Sequence, residues 1–325
     1  MASVKENQIR PRKIFNKYLQ LCKKDIIIFF DKSKKENIKC PACSEKGEVF
    51  FKKYKFNYEK CRKCKTIYNN PRPLKKYFDS FYLNGKSTKF WSTDFYSKTS
   101  VIRKKKLWQP KIKLIKKITK NKKFINIIDI GAGYGDFLDL AKNNLAKNTI
   151  AIEPSNNLST ICVNKGHKVI RKFVETINKK EIPLSSNLFC SFELFEHVHN
   201  PYKFLKKIYN IMRKNNYFIF TTLSGTGIDI ENLNINSKSI FPPHHINFLN
   251  PISIEILLKK IKFKNITVIT PGKLDIDIMK NNIKFIKNEF WKTFLENSNK
   301  SELNKMQNFI SNNKLSSHMM VLCQK

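Results

Sequence analysis

The feature that most constrains this chain is an alternation of short apolar runs and helical segments that begins at residue 124. Four of the apolar runs have the length and composition of buried strands: FINIIDI, NTIAIEP, NLFCSFE and YFIFTTL. The segments between them include DFLDLAKNNL and PYKFLKKIYNIMRK, which have helical patterns. Because strand–helix alternation builds parallel sheets with helices on both faces, residues 124–325 are predicted to form an α/β domain.

A glycine-rich turn follows the first of these predicted strands. Asp129, Gly131, Gly133 and Gly135 form the pattern DxGxGxG, and glycine lets the backbone approach a ligand where side chains would clash. A dinucleotide fingerprint would be GxGxxG, but here the third glycine comes one residue early and Asp136 follows it. We expect this acid to repel a diphosphate and to suit a ligand with an ammonium or sulfonium group.

Two further motifs follow in order along the chain. Glu153 ends the second predicted strand, where a carboxylate can accept hydrogen bonds from both hydroxyls of a ribose. The motif FELFEHVHNP spans residues 192–201. Together with DIGAGYG, these motifs resemble the class I S-adenosylmethionine-dependent methyltransferases over roughly residues 120–325. The resemblance implies a Rossmann-like methyltransferase sheet with helices on both faces.

The resemblance also implies a set of cofactor contacts. The three glycines would pack against the methionine and ribose parts of S-adenosylmethionine, and Glu153 would hold the ribose. Phe173 would flank the adenine, and Phe192 and Glu193 would lie beside the cofactor. The predicted cofactor-binding set is Asp129, Gly131, Gly133, Gly135, Glu153, Phe173, Phe192 and Glu193.

Four of the eight cysteines form two CxxC pairs within residues 38–70. Cys40, Cys43, Cys61 and Cys64 have the spacing of a zinc ribbon, in which each CxxC turn supplies two thiolates to a tetrahedral ion. Because all four ligand positions are cysteines, we expect a structural Zn²⁺ that holds together a segment too small to fold alone. The pattern indicates a reducing compartment, not a disulfide framework.

Two adjacent histidines, His244 and His245, lie in the proline-bounded stretch FPPHHINFLNP. In the resembled fold, the loop after the fifth strand faces the methyl group, so one of these histidines is predicted to be a general base or to orient the substrate. The other is predicted to hold the loop backbone, with His245 favoured for the cleft. Metal binding by the pair is not expected, because no nearby Cys or acid completes a ligand set.

Glu196 and His197 also invite a catalytic interpretation. At the start of a helix, we expect them instead to cap that helix and tie it to the sheet, and we expect His199 to be exposed. The regions before the α/β domain are predicted to be a basic helical lead-in (1–37) and an aromatic linker and helix (71–123). The linker is expected to pack the ribbon on the next domain, with lining of a substrate cleft as the alternative.

The chain carries 63 basic and 25 acidic residues, a formal charge of +38. Only seven of the basic residues are Arg, and the abundant Lys, Asn and Ile are typical of A/T-rich codons, so we favour genome bias over a polyanion-binding surface. A basic surface still attracts anionic substrates. We see no signal peptide and no membrane span, and we expect a cytoplasmic protein.

The ribbon ahead of a class I domain is similar to bacterial methyltransferases that modify sugars and surface glycans. NPRP after the ribbon and PPHHINFLNP after the fifth strand extend that similarity. The predicted function is therefore methyl transfer to a small molecule, such as a nucleotide-linked sugar or a surface-glycan precursor. An RNA methyltransferase that uses the ribbon and the basic surface is the alternative, and a binding protein without catalysis is a third interpretation.

Overall fold

The computed structural model describes residues 5–185 and 187–325. Its strands are β1 (Lys35–Glu36), β2 (Gly47–Lys53), β3 (Phe56–Cys61), β4 (Ile67–Asn69), β5 (Arg72–Pro73), β6 (Phe124–Ile130), β7 (Ala146–Ile152), β8 (Lys168–Ile170), β9 (Asn187–Phe192), β10 (Tyr217–Leu223), β11 (Asn247–Phe248), β12 (Lys264–Ile269) and β13 (His318–Gln324).

The α-helices are α1 (Glu6–Ile9), α2 (Arg12–Phe30), α3 (Lys75–Asn84), α4 (Lys86–Phe90), α5 (Tyr96–Arg103), α6 (Gln109–Ile118), α7 (Asp136–Ala141), α8 (Asn156–Asn164), α9 (Pro201–Ile211), α10 (Ile228–Leu233), α11 (Pro251–Ile261), α12 (Asp275–Asn281), α13 (Glu289–Asn297) and α14 (Lys300–Asn312). Two π-helical turns, Trp91–Phe95 and Lys104–Trp108, join α4 to α5 and α5 to α6. None of the helices described is both long and apolar enough to cross a membrane.

A seven-stranded sheet in the order β12-β13-β10-β9-β6-β7-β8 forms the centre of the α/β domain. Strands β6 to β10 run parallel, and β13 is inserted antiparallel between β10 and β12. This confirms the predicted Rossmann-like fold class. The strand order reverses on either side of β6, and in such sheets ligands bind at the carboxyl edge beside the reversal.

Both faces of the sheet are covered, and the residues of β6 show why. Ile127 and Ile128 are adjacent, so their side chains point to opposite faces, and both are fully buried. Ile127 packs in a cluster with residues of α6 and α7, whereas Ile128 packs in a cluster with residues of α9 and α11. A run that is apolar at nearly every position is therefore what this central strand requires.

The ribbon sheet is not confined to the ribbon segment. Its strand order is β11-β4-β3-β2, so its fourth strand comes from residues 247–248 of the α/β domain. Asn247 pairs with Tyr68 and Phe248 pairs with Ile67. The stretch FPPHHINFLNP, which leads into β11, is thus anchored to the ribbon.

The buried guanidinium of Arg72 reinforces this junction. Arg72 is 1% exposed and donates hydrogen bonds to Asn247 Oδ1 at 2.7 Å and to the Ile246 carbonyl at 3.2 Å. It also donates to the backbone carbonyl of His199. One side chain therefore links the end of the ribbon, the loop after β9 and the histidine stretch.

The substitution Arg72→Leu is expected to lower the free energy of unfolding by about 2–4 kcal/mol, because it leaves buried acceptors without donors. Denaturant unfolding measures this change. The matched control is Arg62→Leu, since the Arg62 side chain is 67% exposed and forms only a surface ion pair with Glu48. The control is expected to cost less than about 1 kcal/mol. Equal effects of the two substitutions would contradict the assignment of Arg72 as the junction.

Candidate functional site

A large cleft opens at the carboxyl edge of the parallel strands, with a volume of about 1440 Å³. Its walls come from the turns after β6, β7, β8 and β9, from the loop before β11, and from the helices that precede the α/β domain. The predicted cofactor-binding and catalytic residues that line it are Gly131, Gly133, Glu153, Phe173, Phe192, Glu193, His244 and His245. Residues far apart in the sequence therefore share one cavity.

The glycine turn after β6 presents bare backbone to the cleft. Gly131 and Gly133 have φ angles of +74° and +56°, in the left-handed region that favours glycine. A Cβ atom built on Gly133 would meet nothing within 4 Å, so open space lies directly over this backbone. Gly135 differs, because a Cβ there would lie 3.1 Å from the Cys162 sulfur. It permits close packing of α7 on α8 and does not line the cleft.

Glu153, at the end of β7, holds the turn in place. It is 6% exposed, its Oε2 accepts a hydrogen bond from the Gly133 N–H at 2.9 Å, and its Oε1 accepts from the Ser155 N–H at 3.0 Å. Burial raises the pKa of this carboxyl. Each carboxylate oxygen keeps a further lone pair for a ligand in the cleft.

Asp136 does not face the cleft, so the expectation that it would meet a cationic ligand is wrong. It is 2% exposed, accepts a hydrogen bond from Ser100 Oγ at 2.7 Å, and pairs with Lys165 at 3.0 Å and Lys104 at 3.4 Å. Its charge is matched by one lysine directly after α8 and one in the π-helical turn before α6. The sequence pattern could not show these ion pairs, because both lysines are distant from Asp136 along the chain.

Asp129 also lies away from the cleft, buried beneath the turn, and its Oδ1 has no hydrogen-bond partner among the described residues. Phe173 stands at the rim and is 39% exposed. Phe192 packs edge-on against Phe137, with ring centroids 4.5 Å apart. Glu193 has a φ of +53°, a strained value for a non-glycine residue, and accepts a hydrogen bond from Thr221 Oγ1 at 2.7 Å.

The two adjacent histidines have different surroundings. His244 Nε2 lies 3.4 Å from the Cys22 sulfur of α2, and its ring is 4.8 Å from the ring of Phe81. His245 Nδ1 lies 2.6 Å from the carbonyl oxygen of Ser239, so Nδ1 carries the proton and Nε2 is left as an acceptor. Burial lowers the pKa of His244 to about 3 and that of His245 to about 4.

Glu196 and His197 approach His245 in the cleft. The metal-ligating atoms of these three side chains lie within 4.8 Å of one another. The earlier reason for excluding a metal at the histidine pair, the lack of a nearby acid, is therefore wrong. Glu196 does tie its turn to the sheet as expected, because it accepts a hydrogen bond from Thr222 Oγ1 of β10 at 3.0 Å.

Helix α9 is not capped by Glu196 or His197. The Asn200 side chain caps it by accepting from the Lys203 N–H at 2.9 Å. The prediction that His199 is exposed is also wrong, because its side chain is 15% exposed and its Nε2 lies 2.9 Å from the carbonyl oxygen of Pro73. The loop after β9 is thus fixed by the short strand β5, which the sequence pattern did not reveal.

Residues 103–268, just over half of the chain, match the family model described as a methyltransferase domain. The chain belongs to this methyltransferase family. It is an S-adenosylmethionine-dependent methyltransferase, as its motifs indicated. No curated protein matches the chain.

Solved structures that resemble this methyltransferase are distant. One is an S-adenosylmethionine-dependent methyltransferase from Thermotoga maritima, described as a possible histamine N-methyltransferase (14% identity, 72% of this chain and 97% of that chain, TM-score 0.49). Another is from Archaeoglobus fulgidus (14% identity, 77% and 99%, TM-score 0.46). A third is the plantazolicin methyltransferase BamL (13% identity, 76% and 94%, TM-score 0.49). These similarities are too distant to indicate an acceptor.

The four ribbon cysteines of this methyltransferase converge as their spacing predicted. All four sulfur atoms lie within 4.8 Å of one another, and the Cys40–Cys64 and Cys43–Cys61 sulfurs are 3.5 and 3.4 Å apart. A tetrahedral zinc ion with Zn–S bonds of about 2.3 Å places its ligands at about this separation. The four thiols therefore fit a structural zinc ion.

The aromatic wall of the cleft comes from the linker, whose Tyr and Trp residues were the alternative prediction for the lining of a substrate cleft. Tyr82 of α3, Trp91 and Tyr96 all line the cavity, while Phe81 of α3 is fully buried against Phe30 of α2. The linker therefore both packs against α2 and lines the cleft. The density of aromatic residues over 77–96 was the available signal, but it could not separate the residues that face the cleft from those that face the core.

Proposed function

We propose that this methyltransferase binds S-adenosylmethionine over the glycine turn of β6 and transfers its methyl group to a polar small molecule held beside the histidines. The observation that supports this most directly is the continuity of the cleft. It joins Gly133 and Glu153 at one end to His197 and His245 at the other. A cofactor and an acceptor can therefore meet inside one cavity.

At the cofactor end, we keep the roles that the family resemblance implies, except those of Gly135 and Asp129. The backbone of Gly131 and Gly133, which lines the cleft and is open at Gly133, is proposed to receive the methionine and ribose portions, and Glu153 the ribose hydroxyls. Phe173, at the rim, is proposed to cover the adenine. Gly135 and Asp129 lie behind the turn, so we assign them to its shape and not to ligand contact.

The bound cofactor supplies an electrophilic methyl group on a sulfonium sulfur. The protein must align the acceptor, exclude water and accept a proton where the acceptor carries one. His245 suits proton acceptance because Ser239 fixes its tautomer and leaves Nε2 unprotonated. His244, which is held between Cys22 and aromatic rings, is assigned to the support of the loop.

Charge at the cleft favours an acceptor with an anionic group. The partly or fully exposed cations that line the cavity are Arg10, Lys39, Lys75, Lys89, Lys172, Lys203, Lys238 and Lys260. Such a lining attracts a phosphate or diphosphate group. A nucleotide-linked sugar or a surface-glycan precursor combines that anionic group with hydroxyls for the histidine end, and we propose this acceptor class.

The overall charge of +38 favours RNA as a second candidate acceptor. Against it, the polar reactive end of the cleft is roofed by α2 and α3, which supply Tyr18 and Tyr82 to the lining. A small molecule suits such a covered end better than a polymer does.

The cofactor assignment predicts that Glu153→Ala weakens S-adenosylmethionine binding by about tenfold or more, because lost charged hydrogen bonds each cost about 1.5–3 kcal/mol. Isothermal titration calorimetry measures the affinity, and thermal unfolding checks that the variant is folded. Glu175→Ala is the matched control, since Glu175 lies exposed at the rim of the same cleft. Wild-type affinity in the Glu153 variant would remove the ribose role.

The acceptor assignment predicts a mass gain of one methyl substitution when the enzyme is incubated with S-adenosylmethionine and a panel of nucleotide-linked sugars. His245→Gln is expected to lower turnover by about 10²–10⁴-fold with little change in cofactor affinity, because proton acceptance contributes that much. His244→Gln is expected to act mainly on stability. Unchanged turnover in both variants would rule out the histidine pair as the base.

RNA binding discriminates between the two acceptors. Electrostatic binding to nucleic-acid phosphates weakens steeply as the salt concentration rises. If the acceptor is a small molecule, we expect micromolar enzyme to retain no RNA at about 150 mM salt. Tight RNA binding there, together with methylation of RNA and none of the sugars, would replace the small-molecule proposal.

We also propose a structural Zn²⁺ at Cys40, Cys43, Cys61 and Cys64. Cys61→Ser is expected to weaken the sulfur-to-cobalt charge-transfer absorption of the cobalt-substituted protein, because one of four thiolates is lost, and to lower its unfolding temperature, because the ion holds the ribbon together. Cys323→Ala is the control, as Cys323 is buried in β13, outside the cluster. An unchanged absorption band in the Cys61 variant would contradict the site.

A further inference from the structure

We propose a second metal site in this protein, a divalent transition-metal site formed by Glu196, His197 and His245 in the cleft. Two ligands come from the 3₁₀ turn Phe195–His197 after β9, and the third comes from the loop before β11. Their ligating atoms lie within 4.8 Å of one another. Metal–ligand bonds of about 2.0–2.2 Å require the ligating atoms to lie somewhat closer to one another than this. Rotations of the three side chains would bring them to that separation.

The burial of Glu196 is the first argument. It is 1% exposed, and among the described residues it forms no ion pair. A buried carboxylate stays ionised only where a cation or a metal compensates its charge, and otherwise it is neutralised by a raised pKa. Its one side-chain hydrogen bond, from Thr222 Oγ1, leaves Oε1 without a hydrogen-bond partner in the described part of the chain. A cation between Oε1 and the two imidazoles would supply the missing charge.

The orientation of the three ligands is the second argument. Each ligand is held through an atom other than the one that would bind the ion. His245 Nδ1 is 2.6 Å from the Ser239 carbonyl oxygen, His197 Nδ1 is 3.2 Å from the Tyr82 hydroxyl, and Glu196 Oε2 is 3.0 Å from Thr222 Oγ1. Metal ligands in proteins are oriented in this way by partners around them. Both Nε2 atoms therefore remain available.

His244 does not belong to the ligand set. Its Nε2 lies 3.4 Å from the Cys22 sulfur, on the side of α2, and its ring packs against Tyr18 and Phe81. The adjacent histidines thus separate into a loop-supporting residue and a metal ligand. The sequence could not show that the two histidines of the proline-bounded pair have different roles.

The ligand types narrow the choice of ion and of acceptor. Two imidazoles and one carboxylate suit Mn²⁺, Fe²⁺, Co²⁺ or Zn²⁺, and three protein ligands leave positions open for other ligands. All three residues line the cleft, so the open positions face the acceptor end. If the proposed function holds, an acceptor with two adjacent oxygens, such as a vicinal diol of a sugar, would chelate the ion, and the ion, not the occupied Nε2 of His245, would then promote loss of the acceptor proton.

Manganese is the probe that separates this site from the ribbon. Mn²⁺ prefers nitrogen and oxygen ligands to thiolates, so it reports on the cleft while the four cysteines keep zinc. Loss of the free Mn²⁺ signal in electron paramagnetic resonance is expected to show one bound ion per chain. Glu196→Gln and His245→Gln are each expected to weaken this binding at least tenfold, because each removes a direct ligand.

The controls are matched by residue type. Glu175→Gln and His199→Gln change a carboxylate and an imidazole that also line the cleft but lie outside the ligand set, and both are expected to bind Mn²⁺ as the wild type does. An NMR measurement on the wild type alone does not depend on whether a variant folds. Mn²⁺ is expected to broaden the imidazole NMR signals of His197 and His245 before that of His167, which contacts Asp139 and Thr149.

The metal site fails if wild-type protein takes up no Mn²⁺ at millimolar concentration, or if the ligand variants bind it as tightly as the wild type. Cofactor affinity and sugar methylation are also measured in the presence of a chelator. These measurements distinguish a failure of the metal site from a failure of the proposed function. Full turnover in chelator without Mn²⁺ binding overturns only the metal site and leaves His245 as the base. Mn²⁺ binding without sugar methylation overturns only the acceptor class.

Discussion

The pairing of β11 with β4 is the interaction on which the arrangement of the cleft depends. It joins two residues of the α/β domain to the ribbon sheet, and the Tyr58 hydroxyl adds a hydrogen bond to the His245 carbonyl oxygen at 2.7 Å. The histidine loop is therefore positioned from both of its ends, by β10 on one side and by the ribbon on the other. Without the second anchor, the segment 224–246, which contains only α10 and a 3₁₀ turn as regular structure, would be held at its β10 end alone.

The segments before the α/β domain have a similar role on the opposite wall. Helix α2 brings Cys22 to His244, and α3 brings Tyr82 to His197. The buried Asp25 of α2 fixes the start of α4 by accepting hydrogen bonds from Ser87 at 2.8 Å (N–H) and 2.6 Å (Oγ). The lead-in and the linker thus form part of the cleft wall, whereas their sequence patterns suggested mainly packing.

Local patterns were the predictable part of this protein. The strand–helix alternation, the turn glycines and the CxxC pairs each depend on residues within a few positions of one another, so the fold class and the cysteine cluster followed from the sequence. Asp136 and His199 were misjudged because their partners, such as Lys165 and Pro73, are distant in sequence. The meeting of Glu196 and His197 with His245 depends on the register of β11 against β4, which no local pattern encodes.

The shared ribbon sheet also bears on how this chain can be divided. A boundary drawn after residue 70 would separate β4 from β11 and expose the backbone groups that these strands satisfy for each other. The Asn250 side chain, which caps α11, donates to the Cys64 carbonyl oxygen at 2.7 Å, so the cysteine turn and that helix are fastened as well. The ribbon is therefore not an exchangeable module placed ahead of a catalytic domain. The two share one sheet, and a change in either sequence must keep the register of the other.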